Sequence, residues 1–217
     1  MPLAGRPMVA WPVDALRACE AVAAIVIAAP PGHEEVLGGE GLTVVAGGAT
    51  RARSVENALR EVATDLVAIH DAARPLLTPQ LVEELIAALL ADPEASGVIA
   101  AAPITDTVKR AASSARGSFR TPEAQEEPRV VGETLDRTEL WGAQTPQVFW
   151  TKALRGALAV GDASRDAATD EAMLVEQAGG KVLIHPSGPE NLKVTTPHDL
   201  GVAEMVLAER LGGSGRA

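Results

Sequence analysis

The chain has 217 residues, 47% of them hydrophobic and only 2% aromatic. That length suits one domain whose core is built from Ala, Val, Leu and Ile. A net charge of −10 argues against nonspecific nucleic-acid binding, the single Cys19 excludes an internal disulfide or a cysteine-based metal cluster, and no apolar run has bilayer length, so a cytoplasmic address is expected.

Strand-like and helix-like segments alternate, the pattern of an α/β fold. The chain opens on Pro2-Leu3-Ala4-Gly5-Arg6-Pro7 and a predicted helix over 7–19. Pro12 conflicts with that helix, because an interior proline costs about 3 kcal/mol or more. The helix is therefore kinked or starts later. Strands are predicted over 24–28 and 42–45. The second leads into Gly47-Gly48-Ala49-Thr50-Arg51-Ala52-Arg53-Ser54 and a helix over 51–62. Two glycines let the backbone approach a flat or anionic ligand, and the helix N-terminus offers free N–H groups and partial positive charge. An ordinary strand-to-helix turn is the alternative.

A short apolar strand over 66–69 ends in His70-Asp71-Ala72-Ala73-Arg74-Pro75. In open α/β sheets ligands bind just past the carboxyl ends of strands. An Asp and an Arg three residues apart there can hold a cation and an anion side by side, as in a metal-bound phosphate ester. They can equally cap a turn. A helix over 79–90 follows, with Thr78 as cap and Pro79 at its first position. A strand over 97–101 then leads to Pro103-Ile104-Thr105-Asp106-Thr107-Val108-Lys109-Arg110, where Thr107 can meet a substrate hydroxyl or serve a plain turn. Residues 111–133 are rich in Ser, Arg, Glu and Pro without periodicity and read as an excursion, mobile or ordered by a partner.

Thr134-Leu135-Asp136-Arg137 and Trp141-Gly142-Ala143-Gln144-Thr145-Pro146-Gln147 bring the chain back. Arg137 there can reach a phosphate with two donors or form a surface ion pair. Helices over 152–160 and 170–177, the latter opened by Ala168-Thr169-Asp170-Glu171, precede strands over 181–185 and 192–194. The second of these carries Lys193, one of only four lysines. A helix over 197–211 starts at Thr196-Pro197, and the tail, 212–217, is expected to be disordered. There is no G-x-G-x-x-G, no Walker loop, no metal-ligand spacing among the four histidines and no Ser-His-Asp order.

Taken in order, Gly47-Gly48…Arg51…Ser54-Val55, His70-Asp71-Ala72-Ala73-Arg74-Pro75, Asp106-Thr107-Val108-Lys109-Arg110, Asp136-Arg137, Thr145-Pro146-Gln147, Thr169-Asp170-Glu171-Ala172 and Asn191-Leu192-Lys193-Val194-Thr195 resemble the 2-C-methyl-D-erythritol 4-phosphate cytidylyltransferase family over nearly the whole chain. The resemblance implies a Rossmann-like nucleotidyltransferase domain with a doubly wound, mostly parallel sheet. It implies a β-arm at 111–133 that crosses to a second subunit, hence a homodimer. The implied substrates are CTP and methylerythritol phosphate, with Mg²⁺. Gly47, Gly48, Ala49, Ser54, Asp71 and Ala72 would bind CTP. Asp71, Arg74, Thr107, Thr145 and Thr169 would line the acceptor site. Lys193 and Arg137 would position the acceptor phosphate, Arg137 in the neighbour's site.

Family members open on a strand and a glycine-rich loop carrying an Arg and a Lys, which stabilise the α-phosphate. This sequence begins inside the P-L-x-G-x-P segment that follows, at Pro2, so a late start codon or a truncated chain is expected. Alternative readings are a cytidylyltransferase for another polyol phosphate, such as ribitol 5-phosphate, and a catalytically impaired nucleotide-binding protein. Replacing Arg74, Arg137 or Lys193 by Ala is expected to cut activity with little loss of folding.

Overall fold

The computed structural model describes residues 1–33, 39–112, 129–159 and 167–213. The chain separates into two compact units, Met1–Ala101 with Ala143–Ala217, and Ala102–Gly142.

In the first unit, strands β1 (Pro2–Leu3) and β2 (Arg6–Pro7) form a hairpin in which Leu3 pairs with Arg6. Its two loop residues, Ala4 (φ 48°) and Gly5 (φ 76°), are both left-handed, the geometry of a tight two-residue hairpin turn. Helix α1 (Ala10–Arg17) starts three residues later than its sequence suggests. Pro12 thereby falls in the first turn, where backbone N–H groups have no partner within the helix. The conflict disappears by shortening the helix rather than by kinking it.

Strands β3 (Ile25–Ala29) and β4 (Leu42–Ala46) pair in parallel. Helix α2 (Arg51–Leu59) follows β4, and helix α3 (Pro79–Ala91) follows β5 (Leu66–Ile69). Thr78 caps α3 by accepting from Leu81 N at 3.3 Å, with Pro79 at the first position as expected. The main sheet has the order β10-β6-β9-β5, using β6 (Ala95–Pro103), β9 (Trp141–Trp150) and β10 (Lys181–Pro186). β10 runs parallel to β6, and β9 runs antiparallel to β5. Helices α4 (Thr151–Leu158), α5 (Glu171–Gln177) and α6 (Pro197–Gly213) complete the unit. The architecture is the expected α/β class, with β9 as the antiparallel member. Val67, Ile99 and Phe149 from the sheet meet Leu59, Leu154 and Val175 from the helices in one apolar cluster. Residues 25–28 of β3 and Ala68 and Ile69 of β5 both line a cavity of about 260 Å³ whose wall includes Asp71 and Arg51.

Two expectations are corrected. Leu192 to Val194 is not a strand: Val194 N donates to Ala73 O at 2.8 Å, one bond rather than a ladder. Gly212 and Gly213 belong to α6 rather than to a disordered tail, and 214–217 lie outside the described residues.

In the second unit, β7 (Lys109–Ala111) and β8 (Val131–Thr134) form an antiparallel ribbon. Lys109 Nζ donates to Thr134 Oγ1 at 2.7 Å, and Arg110 Nε meets Glu133 Oε2 at 2.8 Å. These are the two sides of the predicted arm, whose residues 113–128 lie outside the described ones. Asp136 caps a short 3₁₀ turn, Arg137–Glu139, by accepting from Thr138 N at 3.0 Å. That bond holds the Asp136 carboxyl below its ordinary range. No helix among the described residues is long and apolar enough to cross a membrane.

Candidate active site

The turn after β4 is built around its glycines. Gly47 N donates to Ala29 O at 2.7 Å, fixing the turn to the end of β3. A Cβ at Gly48 would lie 2.3 Å from Arg53 Cβ, so only glycine lets the first turn of α2 pack this closely. Ser54 Oγ accepts from Gly48 N at 3.0 Å and donates to Thr50 O at 3.1 Å. Thr50 caps the helix by accepting from Arg53 N. The Ser54 hydroxyl thus shapes the turn, and Ala49 lies exposed at its tip.

The turn after β5 is held from β9. Thr145 Oγ1 accepts from Asp71 N at 3.0 Å and lies 3.2 Å from His70 Nδ1. His70 Nε2 lies 3.0 Å from Arg74 O, a carbonyl that only accepts. Nε2 therefore carries the proton and Nδ1 accepts from the Thr145 hydroxyl. Burial drives the His70 pKa down to about 4, against the opposing pull of the Arg74 carbonyl and the Asp71 charge. The imidazole is a neutral structural bridge at neutral pH.

Charge concentrates at Asp71. Its Oδ1 accepts from Arg51 Nε at 3.0 Å, and its Oδ2 lies 2.9 Å from Lys193 Nζ. Arg51 Nη1 also donates to Glu171 Oε2, a carboxylate only 1% exposed at the start of α5. Burial raises the Asp71 pKa, but the bonds and charges of Lys193 and Arg51 outweigh it and hold the carboxyl below its ordinary range. Burial pushes the Glu171 carboxyl up, with the Arg51 guanidinium opposing. Desolvation lowers the Arg51 pKa, but Glu171 and Asp71 together overcome it and hold the guanidinium above its ordinary value.

Arg74 is 8% exposed and donates to Asn191 O at 2.6 Å, while burial lowers its pKa. Asn191 in turn donates to Gln144 Oε1 at 2.9 Å and Thr145 O at 2.8 Å. One buried network therefore ties the Asp71 turn, β9 and the Lys193 segment together. Among the described residues no group of three or more His, Cys, Asp or Glu side chains is placed to hold a metal.

The family model described as IspD, 2-C-methyl-D-erythritol 4-phosphate cytidylyltransferase, matches residues 1–209. The chain belongs to this family.

Curated members of the 2-C-methyl-D-erythritol 4-phosphate cytidylyltransferase family agree. The protein of that name from Synechococcus sp. (strain WH7803) is 41% identical over 214 residues, covering 95% of this chain and 88% of the relative. The one from Frankia casuarinae is 42% identical over 212 residues, covering 95% and 72%. The crystal structure of the cytidylyltransferase from Thermus thermophilus superposes with a TM-score of 0.75 at 31% identity, covering 94% of this chain and 90% of that one.

Against this cytidylyltransferase frame, the structure brings Gly47, Gly48, Ser54, Asp71, Ala72 and Lys193 to the carboxyl ends of β4 and β5, joined through Arg51. Thr145 lies under the Asp71 turn, 4% exposed, with its hydroxyl bonded on both sides. Thr169 lies two residues before Glu171, exposed, its hydroxyl 3.9 Å from Met173 Sδ. Thr107 and Arg137 belong to the second unit, where Arg137 Nη1 donates to Thr105 O. Sequence reasoning passed over Arg51 and Glu171 as functional groups. Their one signal was their place inside motifs chosen for other residues.

Proposed function

We propose that this chain transfers the cytidylyl group of CTP to 2-C-methyl-D-erythritol 4-phosphate. An oxygen of the acceptor phosphate attacks the α-phosphorus, the bond to the β-phosphate breaks, and pyrophosphate leaves. The nucleophile arrives with the substrate, so the protein's task is alignment and charge. Membership of the family carries the reading. The observation that supports it most directly is the Asp71 carboxylate set between Arg51 and Lys193 just past β5.

In this reading the glycine turn and Ala72 receive the nucleotide, and Asp71 faces the sugar and acceptor. Lys193 leaves Asp71 for the acceptor phosphate. Its side chain is 44% exposed and has the freedom to move. Arg74 and Asn191 keep the turn rigid from below. Thr107 and Arg137 are assigned to the acceptor by the family resemblance, with Arg137 serving the neighbouring subunit of a homodimer joined through the arm. The CTP requirement makes the cytoplasm the expected compartment.

Mg²⁺ fits the donor set only in one form. Magnesium bound with a nucleotide takes one or two carboxylates, phosphate oxygens and waters. Asp71 would offer such a carboxylate. When bound, the ion supplies positive charge to the triphosphate. Turnover assayed with CTP and either methylerythritol phosphate or ribitol phosphate tests the proposal, and preference for the ribitol ester refutes it.

A further inference from the structure

We infer that Glu171 is a positioning residue that acts through Arg51 to fix Asp71 in one orientation, leaving a single Asp71 oxygen open to exchange. The inference rests on the cytidylyltransferase reading for the role of Asp71.

The geometry is asymmetric. Asp71 contacts two cations of different kinds. Arg51 comes from the first residue of α2 and is anchored a second time by Glu171. Its planar fork presents donors in fixed directions, so a guanidinium engaged at both Nε and Nη1 cannot turn without losing both bonds. Lys193 is a point charge on a flexible stem, paired with Asp71 at 2.9 Å. An incoming phosphate can therefore draw Lys193 away while Oδ1 stays on Arg51. Asp71 then meets the ligand through Oδ2.

Glu171 is suited to this role by burial. At 1% exposure it adjoins Ala172, Leu174 and Val175, which belong to the central apolar cluster. A carboxylate there is costly unless paired. Its cation spans to another element, α2, and from there to the turn after β5. A carboxylate needed only for folding could be paired within its own helix. This one reaches 120 residues back in sequence to a side chain that ends on Asp71.

A double-mutant cycle on the full chain tests this, with CTP affinity measured by titration calorimetry and turnover measured in parallel. Glu171→Gln keeps the volume and removes the charge; Arg51→Gln removes the fork. Each is expected to weaken CTP binding on the order of tenfold, and the double variant no further, because both break the same linkage. Additive losses, on the order of a hundredfold in the double variant, overturn the inference. So does unchanged affinity in folded Glu171→Gln. Should Glu171→Gln not fold, Arg51→Lys decides: it keeps the charge but lacks the planar fork that engages Asp71 and Glu171 in fixed directions, and unchanged affinity in that variant overturns the inference. If the parent binds CTP and the cycle is coupled, yet methylerythritol phosphate is not turned over, the acceptor reading fails and the positioning role stands. A parent that binds no CTP overturns both.

Discussion

Asp71 and Lys193, far apart in sequence, meet at 2.9 Å at the mouth of the site. The contact joins the turn after β5 to the segment that follows β10, and it gives Lys193 a resting place beside the reacting groups.

Lys193→Gln is expected to lower kcat/KM roughly 10²-fold, the usual scale for losing a charge stabiliser. Thermal stability should move little, since the lysine side chain is 44% exposed and Arg51 still pairs Asp71 once the lysine is gone. Steady-state kinetics beside a melting curve checks both halves. A large stability loss with unaltered turnover per folded enzyme would mean that the lysine is structural.

Arg74→Ala behaves differently. The side chain is buried and donates to Asn191 O. Its removal leaves a buried carbonyl without its donor, costing about 1–3 kcal/mol. This corrects the sequence-based expectation of little effect on folding. Denaturant unfolding should show the loss alongside reduced activity.

His70 makes stability depend on pH. Its pKa falls from an ordinary 6.5 to about 4 on folding. The unfolded chain therefore binds more protons between those values. Stability from the neutral imidazole is fully present above pH 6.5 and is lost as pH falls towards 4, by no more than about 3 kcal/mol. Unfolding curves across that window should show the slope, and His70→Gln should flatten it.

Gly48→Ala places a methyl 2.3 Å from Arg53 Cβ and 2.9 Å from Arg53 C. The α2 backbone must give, at a cost of about 1–3 kcal/mol. The turn that would receive the nucleotide moves with it, so CTP affinity should fall together with stability. Calorimetry on the folded variant measures the first, and an equal affinity would separate the turn from nucleotide binding.

Much of the scaffold was legible because its signals are local. The strand over 66–69 matches β5 residue for residue, and α3 carries its Thr-Pro start. β9 was not anticipated. Its sequence mixes Gln144, Thr145, Pro146 and Gln147 in a way that reads as a turn, yet residues 145–149 are buried and the strand pairs with β5 through residues 147–150. The polar side chains are stabilised inside by partners far along the chain: Gln147 Nε2 donates to Asp170 Oδ2 at 2.9 Å. The site followed the same division. Asp71 stood out just past the end of a predicted strand, and Lys193 as a scarce lysine. The linkage through Arg51 to Glu171 depends on three elements meeting, and no spacing in the sequence reports that.

The central claim is the acceptor, and pyrophosphate release tests it most directly. With CTP held constant, kcat/KM for methylerythritol phosphate should exceed that for ribitol 5-phosphate, and release should require an acceptor. Equal or reversed preference, or release without any acceptor, would contradict the account.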